Sequence, residues 1–365
     1  MPSRPIRLLI VEDSPVALAI LQRILREAPD IEVVGTARHG LEALALIPEV
    51  KPTMICTDLH MPKMNGLELT REVMAQYPCP ILVVSASVQE EDTQNVFKIL
   101  EAGALDIFPK PRTGLAAEYE RSKNELLAKL RVLSGVSVFT QHRRQATSAR
   151  PVAAPPPTPI PAPAAIDIRA PRIVAIGAST GGPQALLAIL QQLPRTFPVP
   201  ILCVQHISAG FLQGLVDWLD SKVPLRVTIA RAGETPQPGV VYFPPERHHL
   251  ELDAGGRLSL SQSAPVAGHC PSVTVLFQAV ASYYRRSAVG ILLTGMGRDG
   301  ADGLLTMAQA GGITIAQDEL SCVVFGMPKE AIALGAAQQI LPVQNIAPFL
   351  LHQVFANQAG SPSAR

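Results

Sequence analysis

Residues 7–14 read Arg-Leu-Leu-Ile-Val-Glu-Asp-Ser: an apolar run, two acids, then a residue suited to start a helix. A short continuous apolar run bounded by charges is the pattern of a strand buried on both faces, as in a parallel sheet covered by helices. Ser14 can cap a helix running to about Ala28, with Ala17, Ile20, Leu21, Ile24 and Leu25 at helical spacing. The unit then repeats. Strand-like runs lie at 31–37, 53–57, 80–84 and 104–108, and helical patterns fall between them at about 39–47, 66–77 and 89–102. A last amphipathic segment, about 116–133, places Leu126, Leu127, Leu130 and Leu133 on one face. Strands alternating with helices in this way predict an α/β fold with a doubly wound parallel sheet, in which function gathers at the carboxyl ends of the strands.

The pattern stops near residue 140. Residues 151–163 read PVAAPPPTPIPAP, and the basic, polar stretch HRRQATSAR precedes them. Neither can pack a core. The proline tract favours an extended helix of about 3.1 Å per residue, roughly 40 Å of semi-rigid reach. The chain therefore divides into a first domain at 1–125, a helix end and Pro/Ala-rich linker at 126–169, a second domain at 170–358 and a flexible tail at 359–365. In the second domain a strand at 172–176 runs into Gly177-Ala-Ser-Thr-Gly-Gly182 and a helix to about Leu193. Further strands are expected at 200–204, 225–230, 288–293 and 313–316, and helices near 210–222, 273–284, 301–310, 328–335 and 345–357. Residues 238–262 have the look of hairpin strands, so the second domain is an α/β parallel sheet with an antiparallel hairpin.

Composition narrows the function. Of 365 residues, 47% are hydrophobic and 17% charged, which excludes a disordered or fibrous chain. A net charge of +1 gives no general electrostatic claim on nucleic acid or an acidic membrane. No apolar run approaches the 18 or so residues of a spanning helix, so no membrane insertion is expected. The N-terminal apolar stretch is too short for a secretory signal and ends in acids. Cys56, Cys79, Cys203, Cys270 and Cys322 are scattered and odd in number, which points to a reducing, cytoplasmic setting rather than a disulfide framework or zinc site.

In the first domain Glu12 and Asp13 end the first strand, Asp58 the third and Ser85 the fourth, and Lys110 follows the fifth. Carboxylates converging there suit a hard divalent ion such as Mg²⁺. A hydroxyl and an ammonium opposite suit the oxygens of a phosphoryl group. An Asp in that setting can act as a nucleophile toward phosphate. Any one acid alone would more often be a helix cap or a solvated loop residue. Together with the run Asp58-Leu-His-Met-Pro-Lys-Met-Asn-Gly66 and the pair Lys110-Pro111, these residues make the first domain resemble the receiver domains of two-component response regulators, which are flavodoxin-like. The resemblance implies that Asp58 accepts the phosphoryl group and that Glu12, Asp13 and Asp58 hold Mg²⁺. It also implies that Ser85 and Lys110 sense the phosphoryl group. Receivers often carry an aromatic switch residue where this chain has Ile107; Phe108 is adjacent but should face the other way.

In the second domain Ser179 lies in a glycine-rich strand-to-helix turn, where the helix start presents unpaired N–H groups. A serine nucleophile needs a base and an orienting carboxylate. His206 ends the next strand, and Asp299 lies in Leu293-Thr-Gly-Met-Gly-Arg-Asp-Gly300 just past another. Three other readings compete. An α/β-hydrolase would place its acid before its histidine, but after Asp299 only His352 remains. A dinucleotide cradle would want an acid near the end of the following strand, which reads ILCVQH. A metal cluster of His248, His249 and His269 would have poor ligand spacing and no acids.

The runs Ile176-Gly-Ala-Ser-Thr-Gly-Gly-Pro183, Val204-Gln-His206, Pro271-Ser-Val273, Leu293 to Gly300 and Ala316 to Glu330 resemble the catalytic domain of the chemotaxis protein-glutamate methylesterase family. A receiver joined to this domain is that family's architecture. The resemblance implies a phosphorylation-regulated hydrolase that removes methyl groups from glutamate methyl esters of chemoreceptors and deamidates particular receptor glutamines. Ser179, His206 and Asp299 would form the triad, Thr180 and Met296 would line the site, and backbone N–H groups at 180–182 would form the oxyanion hole. The esterase chemistry would need no cofactor. The implied partners are methylated receptor cytoplasmic domains and a chemotaxis histidine kinase, with no nucleic acid. Relatives usually carry a basic residue and an aspartate where this chain has Cys270 and Thr274. Two rivals remain: a regulator whose second domain only binds receptors, against which the intact triad residues speak, and a DNA-binding regulator, for which no basic helix-turn-helix stretch exists.

Overall fold

The structure is a computed structural model describing residues 5–85, 90–111, 116–136, 138 and 171–355; the Pro-rich linker and the tail expected from sequence lie outside the described residues. The first domain alternates β1 (Ile6–Val11), α1 (Pro15–Leu25), β2 (Ile31–Ala37), α2 (Gly40–Val50), β3 (Met54–Thr57), α3 (Gly66–Gln76), β4 (Ile81–Ser85), α4 (Glu90–Glu101), β5 (Asp106–Pro109) and α5 (Ala116–Ser134). The strands form one parallel sheet in the order β2-β1-β3-β4-β5. Ser14 caps α1 as expected, its hydroxyl accepting from Ala17 N–H at 3.4 Å.

Register sets the pocket. Val11 pairs with Thr57, so Glu12 and Asp58 leave the sheet side by side; Ser85 pairs with Pro109, which brings Lys110 up next to it. Phe108 and Ile107 are buried in different clusters on the two faces of β5, as alternation requires. Leu126, Leu127, Leu130 and Leu133 are buried with Leu8, Ile10 and Leu82. The first domain therefore packs as a unit through Ser134, beyond the boundary at 125 drawn from sequence, because one continuous apolar face of α5 covers the sheet.

The second domain has a seven-stranded parallel sheet in the order β14-β13-β12-β6-β7-β9-β8. Its strands are β6 (Ile173–Ala178), β7 (Ile201–Gln205), β8 (Arg226–Ile229), β9 (Val240–Phe243), β12 (Ala288–Leu292), β13 (Ile313–Gln317) and β14 (Gln339–Leu341). The helices are α6 (Gly182–Leu190), α7 (Leu212–Lys222), α8 (Val273–Tyr284), α9 (Ala301–Gln309), α10 (Met327–Ala333) and α11 (Val343–Phe349). The expected hairpin is present as β10 (His249–Leu252) and β11 (Leu258–Ser261), but it is shorter than 238–262. β9 instead lies in the main sheet, parallel to both β7 and β8. Its short apolar sequence, Val-Val-Tyr-Phe, has all but one residue buried, the signature of an interior strand rather than a hairpin arm.

The two domains touch along α4 and α7. Phe97 stacks on Trp218 with centroids 5.4 Å apart, Trp218 Nε1 donates to Glu101 Oε1 at 2.8 Å, and Lys222 Nζ pairs with the same oxygen at 2.9 Å.

Gly66 begins α3 directly behind Asp58. A Cβ there would lie 2.1 Å from the Asp58 carbonyl oxygen, a backbone atom that can move only with the loop. Gly66→Ala is expected to destabilise the first domain by about 1–3 kcal/mol, measured as a lower urea midpoint; an unchanged midpoint would show that the 58–66 loop yields freely.

Candidate functional sites

Strand register assembles the serine site. Ala178 of β6 pairs with Gln205 of β7, so Ser179 and His206 emerge from adjacent strand ends. Leu292 of β12 pairs with Gly177, which brings the 293–300 loop alongside. A Cβ on Gly295 would lie 2.7 Å from Ser179 Cβ, and one on Gly181, at φ 76°, would strike Val323 at 2.5 Å. Gly295 lets backbone crowd the serine where a side chain would displace it, and Gly181 lets the turn pass close under Val323.

His206 Nε2 lies 2.9 Å from Asp299 Oδ2. The other ring nitrogen, Nδ1, is buried and has no hydrogen-bond partner among the described residues. The structure thus joins His206 to Asp299 directly and places Ser179 at the neighbouring strand end without a hydrogen bond to the ring. Because a carboxylate only accepts, Nε2 is the donor in this bond.

Asp299 is almost fully buried, and its carboxylate has four donors. Besides His206, Oδ2 accepts from Val273 N–H at 2.7 Å, while Oδ1 accepts from the Ser272 hydroxyl at 2.8 Å and Thr274 N–H at 3.0 Å. Val273 and Thr274 open α8, so the carboxylate sits on the unpaired donors and positive dipole of a helix start. Burial alone would raise its pKa, but the bonds to His206, Ser272 and Thr274 prevail and hold it well below the usual carboxylate range. Ser272 is itself fixed by the fully buried His249, whose Nδ1 accepts from Ser272 N–H at 3.1 Å.

Two further polar residues carry the serine turn. Gln205 Nε2 donates to the carbonyls of Ser179 (2.7 Å) and His206 (2.8 Å). Thr294 Oγ1 donates to Thr180 O at 2.9 Å, and Ser179 N–H donates to Thr294 O at 3.0 Å. Gly182 N–H is occupied by the Ser179 carbonyl at 2.8 Å, which removes it from the oxyanion donors expected at 180–182 and leaves Thr180 and Gly181. Met296 is exposed at the mouth, whereas Thr180 is buried and its hydroxyl reaches Asp106 Oδ2 of the first domain at 2.9 Å. Lys129 pairs with that same Asp106 oxygen, and Gln184 Nε2 donates to Ala104 O at 3.0 Å. Sequence reasoning missed Gln205, Ser272 and Asp106. A polar residue closing an apolar strand and a serine opening an apolar helix were the available signals for the first two; Asp106 offered none.

The three histidines considered as metal ligands point three ways. His248 bonds Glu246 O and Gln262, His249 holds Ser272, and His269 lies against His206. Among the described residues only Glu12, Asp13 and Asp58 group in a way that could hold a metal ion, each offering an oxygen within 4.8 Å of the others. Lys110 Nζ bridges Glu12 Oε1 and Asp58 Oδ2, both at 2.7 Å, and Glu12 Oε2 is buried without a partner among the described residues. Burial, opposed by Lys110 and reinforced by Asp58, raises Glu12 above the ordinary carboxylate value. Burial works against the Lys110 charge, but its bonds to Asp58 and Glu12 outweigh that and hold its pKa high. A buried orphan oxygen among three carboxylates fits a hard divalent cation. Ser85 is buried in this pocket, its carbonyl accepting from Lys110 N–H at 2.8 Å.

Comparison with known proteins adds the following. Residues 174–350 match the CheB methylesterase family and residues 8–116 the response regulator receiver domain. A protein-glutamate methylesterase/protein-glutamine glutaminase from Nitrosospira multiformis is 43% identical over 349 residues, 96% of this chain and 97% of its own length. A similarly named protein from Syntrophus aciditrophicus is 43% identical over 346 residues, covering 95% and 97%. Among solved structures, the Thermotoga maritima CheB methylesterase catalytic domain is 41% identical and covers 50% of this chain and 99% of its own, with a TM-score of 0.49.

Burial first, and then the neighbouring His206, push His269 from 6.5 down to about 4, with Asp299 pulling the other way. The unfolded chain therefore binds more protons than the folded one between those values, and stability falls as pH drops from 6.5 toward 4. The depressed Asp299 acts lower, its contribution being complete above 3.8 and lost below. His269→Phe is expected to lose less stability than wild type between pH 7 and about pH 4.5, read as the shift in urea midpoint; equal shifts would mean that His269 does not stay neutral in the fold.

Proposed function

This chain belongs to the protein-glutamate methylesterase/protein-glutamine glutaminase family, and on that premise we propose that it demethylates glutamate methyl esters of chemoreceptors by serine chemistry under control of its receiver. Ser179 Oγ attacks the ester carbonyl while His206 Nδ1 takes its proton. The tetrahedral oxyanion is met by Thr180 and Gly181 N–H. His206 then returns the proton to the departing methoxide, which leaves as methanol, and water repeats the cycle on the acyl-enzyme to free the glutamate. On a glutamine the leaving group is ammonia. Asp299 holds the imidazole tautomer and steadies the imidazolium. The observation that carries this reading is the buried, unpartnered His206 Nδ1 on a ring whose other nitrogen is held by a clamped carboxylate, beside a serine at a helix start.

The receiver supplies the control. Asp58 would take the phosphoryl group from a chemotaxis histidine kinase, with Lys110 and Ser85 on its oxygens. Glu12, Asp13 and Asp58 would hold Mg²⁺, which when bound offsets the charge that phosphate brings to this acidic pocket. Thr180, next to the proposed nucleophile, is hydrogen-bonded to receiver Asp106, and α4 packs on α7 through the Phe97–Trp218 stack. This supports a receiver docked over the cleft, which denies entry to a bulky receptor helix. No helix among the described residues is long and apolar enough to cross a membrane; the substrates would be cytoplasmic receptor segments and the enzyme cytoplasmic.

Methanol release from methyl-labelled receptor membranes tests the chemistry. Ser179→Ala is expected to abolish it, by about 10⁴-fold or more, with the fold intact; activity near wild type would end the assignment. A fragment beginning at Ala170 tests the docking. It is expected to outpace the unphosphorylated full chain and to ignore a phospho-donor, while Asp58→Asn in the full chain stays slow with donor. A fragment no faster than its parent would remove steric inhibition as the mode of control.

A further inference from the structure

One face of the His206 ring is covered by a second imidazole. His269 stacks on it with centroids 3.9 Å apart and planes within 3°. Its placement is built into the backbone. Val266 and His269 exchange two hydrogen bonds, Val266 N–H to His269 O at 3.0 Å and His269 N–H to Val266 O at 2.9 Å. The two residues between them, Ala267 and Gly268, both have positive φ, 51° and 84°. A two-residue turn of this hand closes a tight, twisted loop, and an alanine held there is strained. Three residues on, the same connector delivers Ser272, Val273 and Thr274 to the Asp299 carboxylate. One short segment thus touches both partners of the serine: His206 through a ring face, Asp299 through donors.

We propose that His269 is a positioning residue for the esterase reaction, its flat ring fixing the plane of His206 so that Nε2 stays on Asp299 while Nδ1 stays turned toward Ser179. The inference rests on the serine-ester reading above. A ring held at one edge by a single hydrogen bond can still rotate about it; a parallel wall removes that freedom. The groups facing His269 are His206 from the end of β7 and Asp299 from the β12–α9 loop. Buried beside His206, His269 stays neutral at working pH and so does not repel the imidazolium formed during turnover.

Methanol release by the full chain with phospho-donor, measured as kcat and KM, tests this. Wild type and Ser179→Ala run in parallel, so a failure of the esterase reading shows there, whatever His269 does. His269→Ala is expected to lower kcat about ten- to a hundredfold with KM within about twofold. His269→Phe, which restores a flat ring without a proton, should recover most of that loss and keep the wild-type pH profile. His269→Gln, polar but ringless, should not. A Phe variant as slow as Ala, a Gln variant that recovers, a raised KM or a lost limb of the pH profile would each overturn the proposal, as would an Ala variant with wild-type kcat. If the Ala variant lacks a normal melting transition, the Phe and Gln pair decides alone.

Discussion

The catalytic domain is organised around one buried charge. Asp299 is 3% exposed, and an isolated carboxylate in such a place would simply protonate. It stays ionised because two N–H groups at the start of α8, one hydroxyl and one imidazole all converge on it. Each donor constrains a different part of the chain. The helix start requires Val273 to pack against β6, where Gly177 leaves no room for a side chain: a Cβ would lie 2.1 Å from Val273 Cγ1. The hydroxyl requires Ser272, and Ser272 requires His249 beneath it. The imidazole ties the end of β7 to the loop between β12 and α9. Removing any one donor would leave a buried anion short of a partner, a change of about 1–3 kcal/mol that the neighbours cannot offset.

Much of this was legible in the sequence, for definite reasons. The apolar run Leu8–Val11 ended in acids because the strand is buried on both faces and its carboxyl end is polar. Asp58, Lys110, Ser179 and His206 were singled out because each directly follows such a run, and Asp299 because it lies in the loop after one. The fate of β9 was not legible: four residues of apolar chain do not say which strand they pair with. Gln205, Ser272 and Asp106 escaped notice because their partners lie 26, 27 and 74 positions away, and nothing local marks the distant end of a hydrogen bond.

Thr274 and Cys270, where the resemblance implies an aspartate and a basic residue, lie in or next to the segment that clamps this carboxylate. Thr274 has not left its position empty of an acceptor. Its hydroxyl oxygen takes the Gly300 N–H at 2.8 Å, next to Asp299 itself, while its own N–H serves the carboxylate. A neutral acceptor there keeps the loop closed without bringing a second negative charge up to Asp299. Cys270 lies between the residue that stacks on His206 and the segment that clamps Asp299, and burial raises its thiol pKa, so it stays uncharged at neutral pH.

The junction between domains is set by different physics. It joins an aromatic stack, one carboxylate shared by Trp218 and Lys222, and Asp106 shared by Thr180 and Lys129. An aromatic pair adds about 0.5–1.5 kcal/mol, and an exposed ion pair about 0–1 kcal/mol. These polar and aromatic contacts sum to a few kcal/mol, and they stand beside the apolar packing of Val323 and Val324 on the first domain. A phosphoryl group at Asp58, as proposed, would add about 1.5–2 negative charges to a pocket where Lys110 is already shared by two carboxylates. Lys110 and Asp106 bracket the short strand β5, about 13 Å apart at the usual rise per residue. Lys110, the proposed phosphoryl sensor, and Asp106, which holds Thr180 in the serine turn, are thus carried on one rigid element. Apolar packing runs through the junction as well: Val324 and Val323 of the second domain lie against the cluster of Leu8, Ile10 and Leu126, and Phe97 shares another cluster with Trp218. On the proposed reading, phosphorylation would have to shift these contacts together with the polar ones carried on β5.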